Sequence, residues 1–326
     1  MTMTVRNRIV VVGASGPVGG YSENEDGIYT ASCKGFLRMK ANLKVDVFKG
    51  REASVNSYLF SNDKCLGVID ALRNQLEAVE LAETIKSSGK TLQWIYVSHG
   101  HPDHYIGIRT LKEAFPSVRI WVASDLIKQD IVNFSGWMES VGWLDGQPQM
   151  KAKSTRNAEG FDYVGMIDIL KVPQLSLDGG GVLDIRRDYP AAECAHPSTL
   201  HCEKLNVLFV SDFCYHGVHA WAGQGVEKEH IRNWIQVLGD LKAEYFGTGA
   251  TVYPGHGEPG GVELFDTMRT YLEDFLSAIQ SGRTNREILE RMRKIYPTHA
   301  EADFLLHHSV LYHGPDSKSA AVVEQA

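Results

Sequence analysis

Ser98-His99-Gly100-His101-Pro102-Asp103-His104 places three histidines and one aspartate within six residues. The run before it, Leu92-Gln93-Trp94-Ile95-Tyr96-Val97, reads as a buried strand. After it Ile106, Leu111, Ala114 and Phe115 recur at roughly helical spacing. The cluster therefore sits on a strand-to-helix turn. Side chains alternate along a strand, so His99 and His101 leave the strand end on the same side. Asp103 and His104 follow in the first helical turn, where they address a second, neighbouring point. Imidazole and carboxylate suit zinc, and also iron or manganese. A polar surface turn is the plain alternative for a lone histidine, but not for H-x-H-x-D-H at a strand end.

At these residues the chain resembles the metallo-β-lactamase superfamily, whose signature is H-x-H-x-D-H. The resemblance continues in order along about residues 44 to 265. Asp70 ends the apolar strand Cys65-Leu66-Gly67-Val68-Ile69. His196 follows an irregular stretch. Asp212 ends Val207-Leu208-Phe209-Val210, and His256 sits in Tyr253-Pro254-Gly255-His256-Gly257. The resemblance implies an α+β fold, a four-layer αββα sandwich with metals in the cleft at one edge of two sheets. It implies one metal on His99, His101 and His196, a second on Asp103, His104 and His256, and Asp212 bridging. The expected cofactor is two Zn2+ per chain, with iron or manganese as alternatives. Such a pair lowers the pKa of a bridging water towards neutrality and polarises the carbonyl under attack. Asp103 and Tyr215 are the expected catalytic residues.

His196 has rivals. In Ala192-Glu193-Cys194-Ala195-His196-Pro197-Ser198-Thr199-Leu200-His201, the family usually shows Gly-His-Thr/Ser, and it usually has more residues before the next strand. Glu193 would add negative charge and weaken the electrophilic pull on water. His201 would sit inside a strand. Pro197 stiffens the approach of His196, and His196 is favoured. Tyr215, three residues beyond Asp212, is similar to a tyrosine of the acyl-homoserine lactonases, where the phenol helps position or stabilise the substrate carbonyl. Here it would donate to the developing oxyanion; packing at a strand end is the alternative. His216 and His219 are expected to border the pocket. Cys214 reads as a small buried residue rather than a nucleophile.

The 326 residues carry 43% hydrophobic side chains and a net charge of −7. That supports a large core, and without a basic stripe it argues against nucleic acid or an anionic membrane as partner. No apolar run approaches a membrane span. Cys33, Cys65, Cys194, Cys202 and Cys214 form no C-x-x-C pair, which favours free thiols and a cytoplasmic location. The expected partner is a small-molecule substrate, with room for a homodimer.

Residues 1–44 read as an N-terminal extension, 45–265 as the main domain, and 266–326 as helices packed on it. Within the extension, Gly13, Gly16 and Gly19 after an apolar run imitate a dinucleotide-binding turn, but no periodic helix follows. An NAD-binding oxidoreductase would rest on those glycines alone. Residues 74–88 read as a helix with Leu76, Val79, Leu81 and Ile85 on its apolar side, and another helix starts over 125–132. Residues 133–165 mix Phe134, Trp137, Met138, Trp143 and Leu144 with glycines and Pro148. That reads as a lid whose Trp137 and Trp143 line an apolar substrate pocket, or as a helical excursion with its own mini-core. His307, His308 and His313 read as solvent or dimer-interface residues. The expected function is metal-dependent hydrolysis of a small carbonyl compound, a lactone first, a lactam or thioester next. A basic patch like that of glyoxalase-type thioesterases is not evident.

Overall fold

The computed structural model describes residues 42–316 and, before them, the antiparallel strand pair β1 (Ser22–Glu23) and β2 (Tyr29–Thr30). The glycines at 13, 16 and 19 lie outside the described residues. The chain forms two compact units, Met1–Lys40 and Ala41–Ala326.

The second unit is built on two sheets. The first takes β3 (Lys44–Lys49), β4 (Asn56–Ser61), β5 (Cys65–Ile69), β6 (Thr91–Tyr96), β7 (Arg119–Val122) and β8 (Ile167–Ile169), in that spatial order. Between them run α1 (Gln75–Ser87), α2 (Pro102–Tyr105), α3 (Ile108–Ala114), α4 (Asp125–Ser140) and α5 (Tyr163–Met166). Hairpins join β3 to β4 and β4 to β5, so those pairs are antiparallel; helical crossovers make β5 to β8 parallel. The second sheet takes β9 (Gln174–Ser176), β10 (Val182–Arg186), β11 (Thr199–Cys202), β12 (Val207–His216) and β13 (Thr251–Gly257), again in spatial order. Only β12 and β13 pair in parallel, across α6 (Lys228–Tyr245). The chain closes with α7 (Glu263–Ser281), α8 (Asn285–Ile295), a π-helical turn at Ala302–Leu306 and α9 (His307–His313).

The layers follow from which residues are apolar. Between the sheets, Phe60, Ile69, Trp94 and Tyr96 share a core with Leu183, Leu200 and Phe209, while Val68, Ile95 and Ile120 lie on the other face of the first sheet with Leu81, Ile108 and Ile131 of the helices. Tyr58 meets Phe209 and Tyr253 across the interface at centroid distances of 5.3 and 5.2 Å. A second core packs Trp234, Leu238, Phe265 and Leu272 of α6 and α7 against Leu208, Val210 and Val252 of the second sheet. The architecture is helix, sheet, sheet, helix.

Two local expectations change. On α1 the buried stripe is Ala78, Leu81, Ala82 and Ile85 at i, i+3, i+4 and i+7, while Leu76 and Val79 are 76% and 44% exposed. Ala78 and Ala82 thus take, beside Leu81 and Ile85, the inward places expected for Leu76 and Val79. Helix α4 runs on to Ser140. Ser124 caps its start by accepting from Ile127 N, and Ile127, Ile131, Ser135 and Met138 form one buried stripe. Gly136 faces open space and does not break it. Gly142, at φ +74°, follows the end. Beyond it Leu144, Met150, Phe161 and Tyr163 are buried in the main core, so the rest of this segment is packed rather than loose.

Candidate metal centre

The strand β6 ends at Tyr96, and Pro102 occupies the first position of α2, where its missing N–H costs nothing. The turn between them aims His99 and His101 inwards, and Asp103 and His104 follow on the short helix. Gly100 is small for a reason: a Cβ there would lie 2.5 Å from Asp130 Cβ on α4. Asp212 comes from β12, which carries irregular pairing with β13 on both sides of Ser211, itself at φ +46°. Such an irregularity re-aims a side chain that a regular ladder would hold flat. β12 therefore continues past Asp212 rather than ending there. His256 comes from the far end of β13, next to Gly255, where a Cβ would collide with Asp212 Oδ1.

These side chains form two sets, His99, His101, Glu193 and Asp212, and Asp103, His104 and His256. Asp212 serves both. Its Oδ2 lies 3.6 Å from His99 Nε2 and from His101 Nδ1, and its Oδ1 lies 3.0 Å from His104 Nε2 and 3.3 Å from His256 Nε2. Glu193 Oε2 lies 3.7 Å from His99 Nε2 and 3.8 Å from His101 Nδ1; Asp103 Oδ2 lies 3.4 Å from His256 Nε2. Donors about 2 Å from a tetrahedral ion sit roughly 3.3 Å apart.

The distal ring nitrogens are fixed from outside. His104 Nδ1 donates to Asp70 Oδ2 at 2.8 Å, and His256 Nδ1 to the Ala53 carbonyl at 2.7 Å. His99 Nδ1 meets Ser98 Oγ at 3.0 Å and Ser211 Oγ at 3.2 Å. Asp70 also accepts from Ser98 N and Ser98 Oγ, which holds it at φ +61°. Such outer bonds set the tautomer and aim the inner nitrogen. Those inner atoms then have nothing to bond. His99 Nε2, His104 Nε2, His256 Nε2, Glu193 Oε2 and Asp212 Oδ1 are buried without a hydrogen-bond partner. A buried polar group left unpaired is costly, and here the unpaired atoms converge. The residues fit a pair of divalent cations.

Electrostatics agree. Burial would raise the Asp212 carboxyl, but His104, His256 and His99 outweigh it and hold it well below its ordinary range. Burial, then Asp212, pushes Glu193 well above its ordinary value. Burial, then His104, brings His99 down to about 4, the neutral form a ligand needs. Two divalent cations, if held by Asp103, Glu193 and Asp212, would leave one net positive charge.

The third ligand expected with His99 and His101 is placed differently. His196 has a 37% exposed side chain, and its Nδ1 bonds Asp130 Oδ2 at 2.7 Å, away from the cluster. Glu193 occupies that place, 1% exposed, with Oε1 accepting from Cys194 Sγ at 3.2 Å. The added charge of Glu193, expected as a penalty, would be compensation in a buried site that held two cations. His201 lies on β11 and packs against Tyr245.

Other site expectations also move. The Tyr215 hydroxyl donates to Asp212 Oδ2 at 2.5 Å, and its ring stacks on His256 at 4.4 Å. Burial, then Asp212, pushes its phenol well above the ordinary value, so it remains a donor. Its hydrogen is thus spent on Asp212 rather than offered to an oxyanion. His216 Nδ1 meets the Glu258 carbonyl, and buried His219 bonds Tyr271 and packs beside His299; neither lines a cavity beside the centre. His308, expected at solvent or a dimer interface, is partly buried and lies against Trp143 and Trp221.

Two spaces open beside the centre. One, of about 260 Å3, is walled by His101, Asp130, Phe134, Trp137 and Cys194 among others; Trp137 is where the pocket reading places it. The other is a cleft of about 20 Å3 over Asp103 and Asp212, walled by Trp143, Trp221, Phe134 and Arg73. Arg73 and Trp221 of this cleft, and Phe304 packed against both, have no counterpart among the sequence expectations. They lie far apart in sequence, and no local pattern marks them.

A family model described as the metallo-beta-lactamase superfamily matches residues 50–256, more than half of the chain. The chain belongs to the metallo-beta-lactamase superfamily. Among solved structures, a metallo-beta-lactamase from Pontibacter korlensis is 13% identical over 71% of this chain and 94% of that one, with a TM-score of 0.49. The DIM-1 metallo-beta-lactamase exposed to ceftazidime is 17% identical over 71% and 91%, with a TM-score of 0.47. VMB-1 is 18% identical over 73% and 97%, also at 0.47. No curated protein matches the chain. Among the described residues, no helix is long and apolar enough to cross a membrane.

Proposed function

We propose that this superfamily member is a dinuclear metal-dependent hydrolase that opens a small carbonyl compound, a lactone first and a lactam or thioester next. The metal pair we propose is zinc, with iron or manganese as alternatives. One observation carries the reading: Asp212 divides its oxygens between two sets of buried, unpaired ligand atoms. When bound, two such cations supply Lewis acidity and an activated water. The chain's residues do the rest. Asp70, Ala53, Ser98 and Ser211 aim the imidazoles. Tyr215 holds Asp212 between the two sets. Phe134 and Trp137 wall the larger cavity, whose size suits the body of a small molecule rather than a polymer.

A panel of lactones, lactams and thioesters, offered to protein loaded with zinc, manganese or iron, tests the reading. Turnover of at least one class, abolished by chelation and restored by metal, is expected. Metal-independent turnover, or none by fully loaded protein, contradicts it.

A further inference from the structure

The cleft over Asp103 and Asp212 holds hydrogen-bond donors that lack acceptors. Arg73 lies on the loop after β5 with a 15% exposed side chain. Its Nε is taken by Glu52 Oε1 at 2.5 Å, and Glu52 is fixed in turn by Asn74 at 2.7 Å. Its guanidinium lies 4.4 Å from the Phe304 ring centroid and 5.6 Å from that of Trp143. So Nε is bonded and the guanidinium carbon lies over two aromatic rings. The Nη1–Nη2 edge has no hydrogen bond among the described residues. Trp221 walls the same cleft, is 8% exposed, and its buried Nε1 is also without a partner. Both groups donate only.

Among the described residues no acceptor bonds the Nη1–Nη2 edge or Trp221 Nε1, and only the Asp103 carboxylate of the same cleft interacts with Arg73 through charge. Among the described residues walling either cavity beside the centre, Arg73 is the one lysine or arginine. Asp103 and Asp212 share the cleft and would repel an anion from the bare cluster; cations bound there reverse that. A guanidinium edge matches a two-oxygen anion in a paired, charge-assisted bond. Phe304 stands on the π-helical turn, a device often found at functional sites.

We infer that Arg73, assisted by Trp221 Nε1, anchors an oxyanion carried by the substrate beside its scissile bond, with an apolar body in the cavity of Phe134 and Trp137. This rests on the cleft being the hydrolytic site. The substrate class is an anionic carbonyl compound, bearing either a carboxylate or a phosphoryl or sulfuryl group. Arg73 determines specificity in this scheme and takes no part in bond cleavage.

Binding without turnover tests it. The probes are 4-phenylbutyrate, 3-phenylpropylphosphonate and the neutral 4-phenylbutyramide, titrated into metal-loaded protein and read by intrinsic tryptophan fluorescence and by calorimetry. Arg73→Gln should weaken the better-binding acid by about tenfold to a hundredfold. Its affinity for the amide and its bound metal should stay unchanged. Arg73→Lys, which keeps the charge but not the fork, should fall between. Trp221→Phe should weaken the same acid by a smaller factor. Preference for the carboxylate assigns a carboxylate substrate, and preference for the phosphonate assigns a phosphoryl or sulfuryl one; both support the anchor. Equal loss for acid and amide, or wild-type affinity for both acids in Arg73→Gln and Arg73→Lys, overturns it. Should Arg73→Gln fail to fold, Arg73→Lys and Trp221→Phe decide alone. A protein that hydrolyses none of the panel yet discriminates in this way fails as a hydrolase of those classes and keeps the anchor.

Discussion

Asp212 sits at an irregularity of β12, and that displacement lets its two oxygens face different ligand sets. Tyr215 and Gly255 fix it there, one by a hydrogen bond and the other by having no side chain. Tyr215→Phe should therefore weaken metal binding by about tenfold or more, the usual cost of losing an outer hydrogen bond. Competition with a fluorescent chelator measures this. A lowered kcat at unchanged metal affinity would instead mark the phenol as an oxyanion donor. Glu193 makes a sharper case. Glu193→Ala should lose about one metal equivalent while His196→Ala keeps both, as read by elemental analysis. The reverse result would restore His196 as ligand. His99, His101, Asp103 and His104 were legible as one motif at the turn after a strand; Asp212 and His256 were expected through the resemblance, and Asp212 lies inside β12 rather than at its end. Glu193 was less legible. The loop of residues 187–198 has no periodic pattern, and nothing local says which of two polar side chains, three residues apart, turns inward.

Among the elements, α4 and the C-terminal π turn matter most to the cleft. α4 carries Phe134 and Trp137, whose rings meet at 5.1 Å, and Trp137 meets Trp143 at 5.0 Å. Trp143 lies 6.3 Å from Phe304 on the π turn. A continuous aromatic wall thus joins segments about 160 residues apart, a relation that hydrophobic periodicity cannot show. Glycine spacing made α4 look interrupted; its inward stripe of Ile127, Ile131, Ser135 and Met138 outweighs one exposed Gly136. Trp137→Ala or Trp143→Ala should raise KM for bulky substrates several-fold more than for small ones. Steady-state kinetics over a graded substrate series checks this, and a uniform loss would mean that these rings only support the fold.

For the main unit as a whole, the centre joins both sheets. His99, His101, Asp103 and His104 follow β6 of the first sheet, and Asp212 and His256 belong to β12 and β13 of the second. The four-layer arrangement was legible through the ordered motifs more than through periodicity, since alternating strands and helices alone allow several α/β folds. Ions that bind only the folded state stabilise it by mass action. Chelation should lower the melting temperature by several degrees, and restoring zinc should recover it; an unchanged transition would mean that the cluster holds no tightly bound metal. Two cations sharing Asp212 would be visible in anomalous diffraction from metal-loaded crystals. Two peaks are expected, one among His99, His101 and Glu193, the other among Asp103, His104 and His256, with Asp212 between them. A single peak, or a peak beside His196 and away from Glu193, would contradict it.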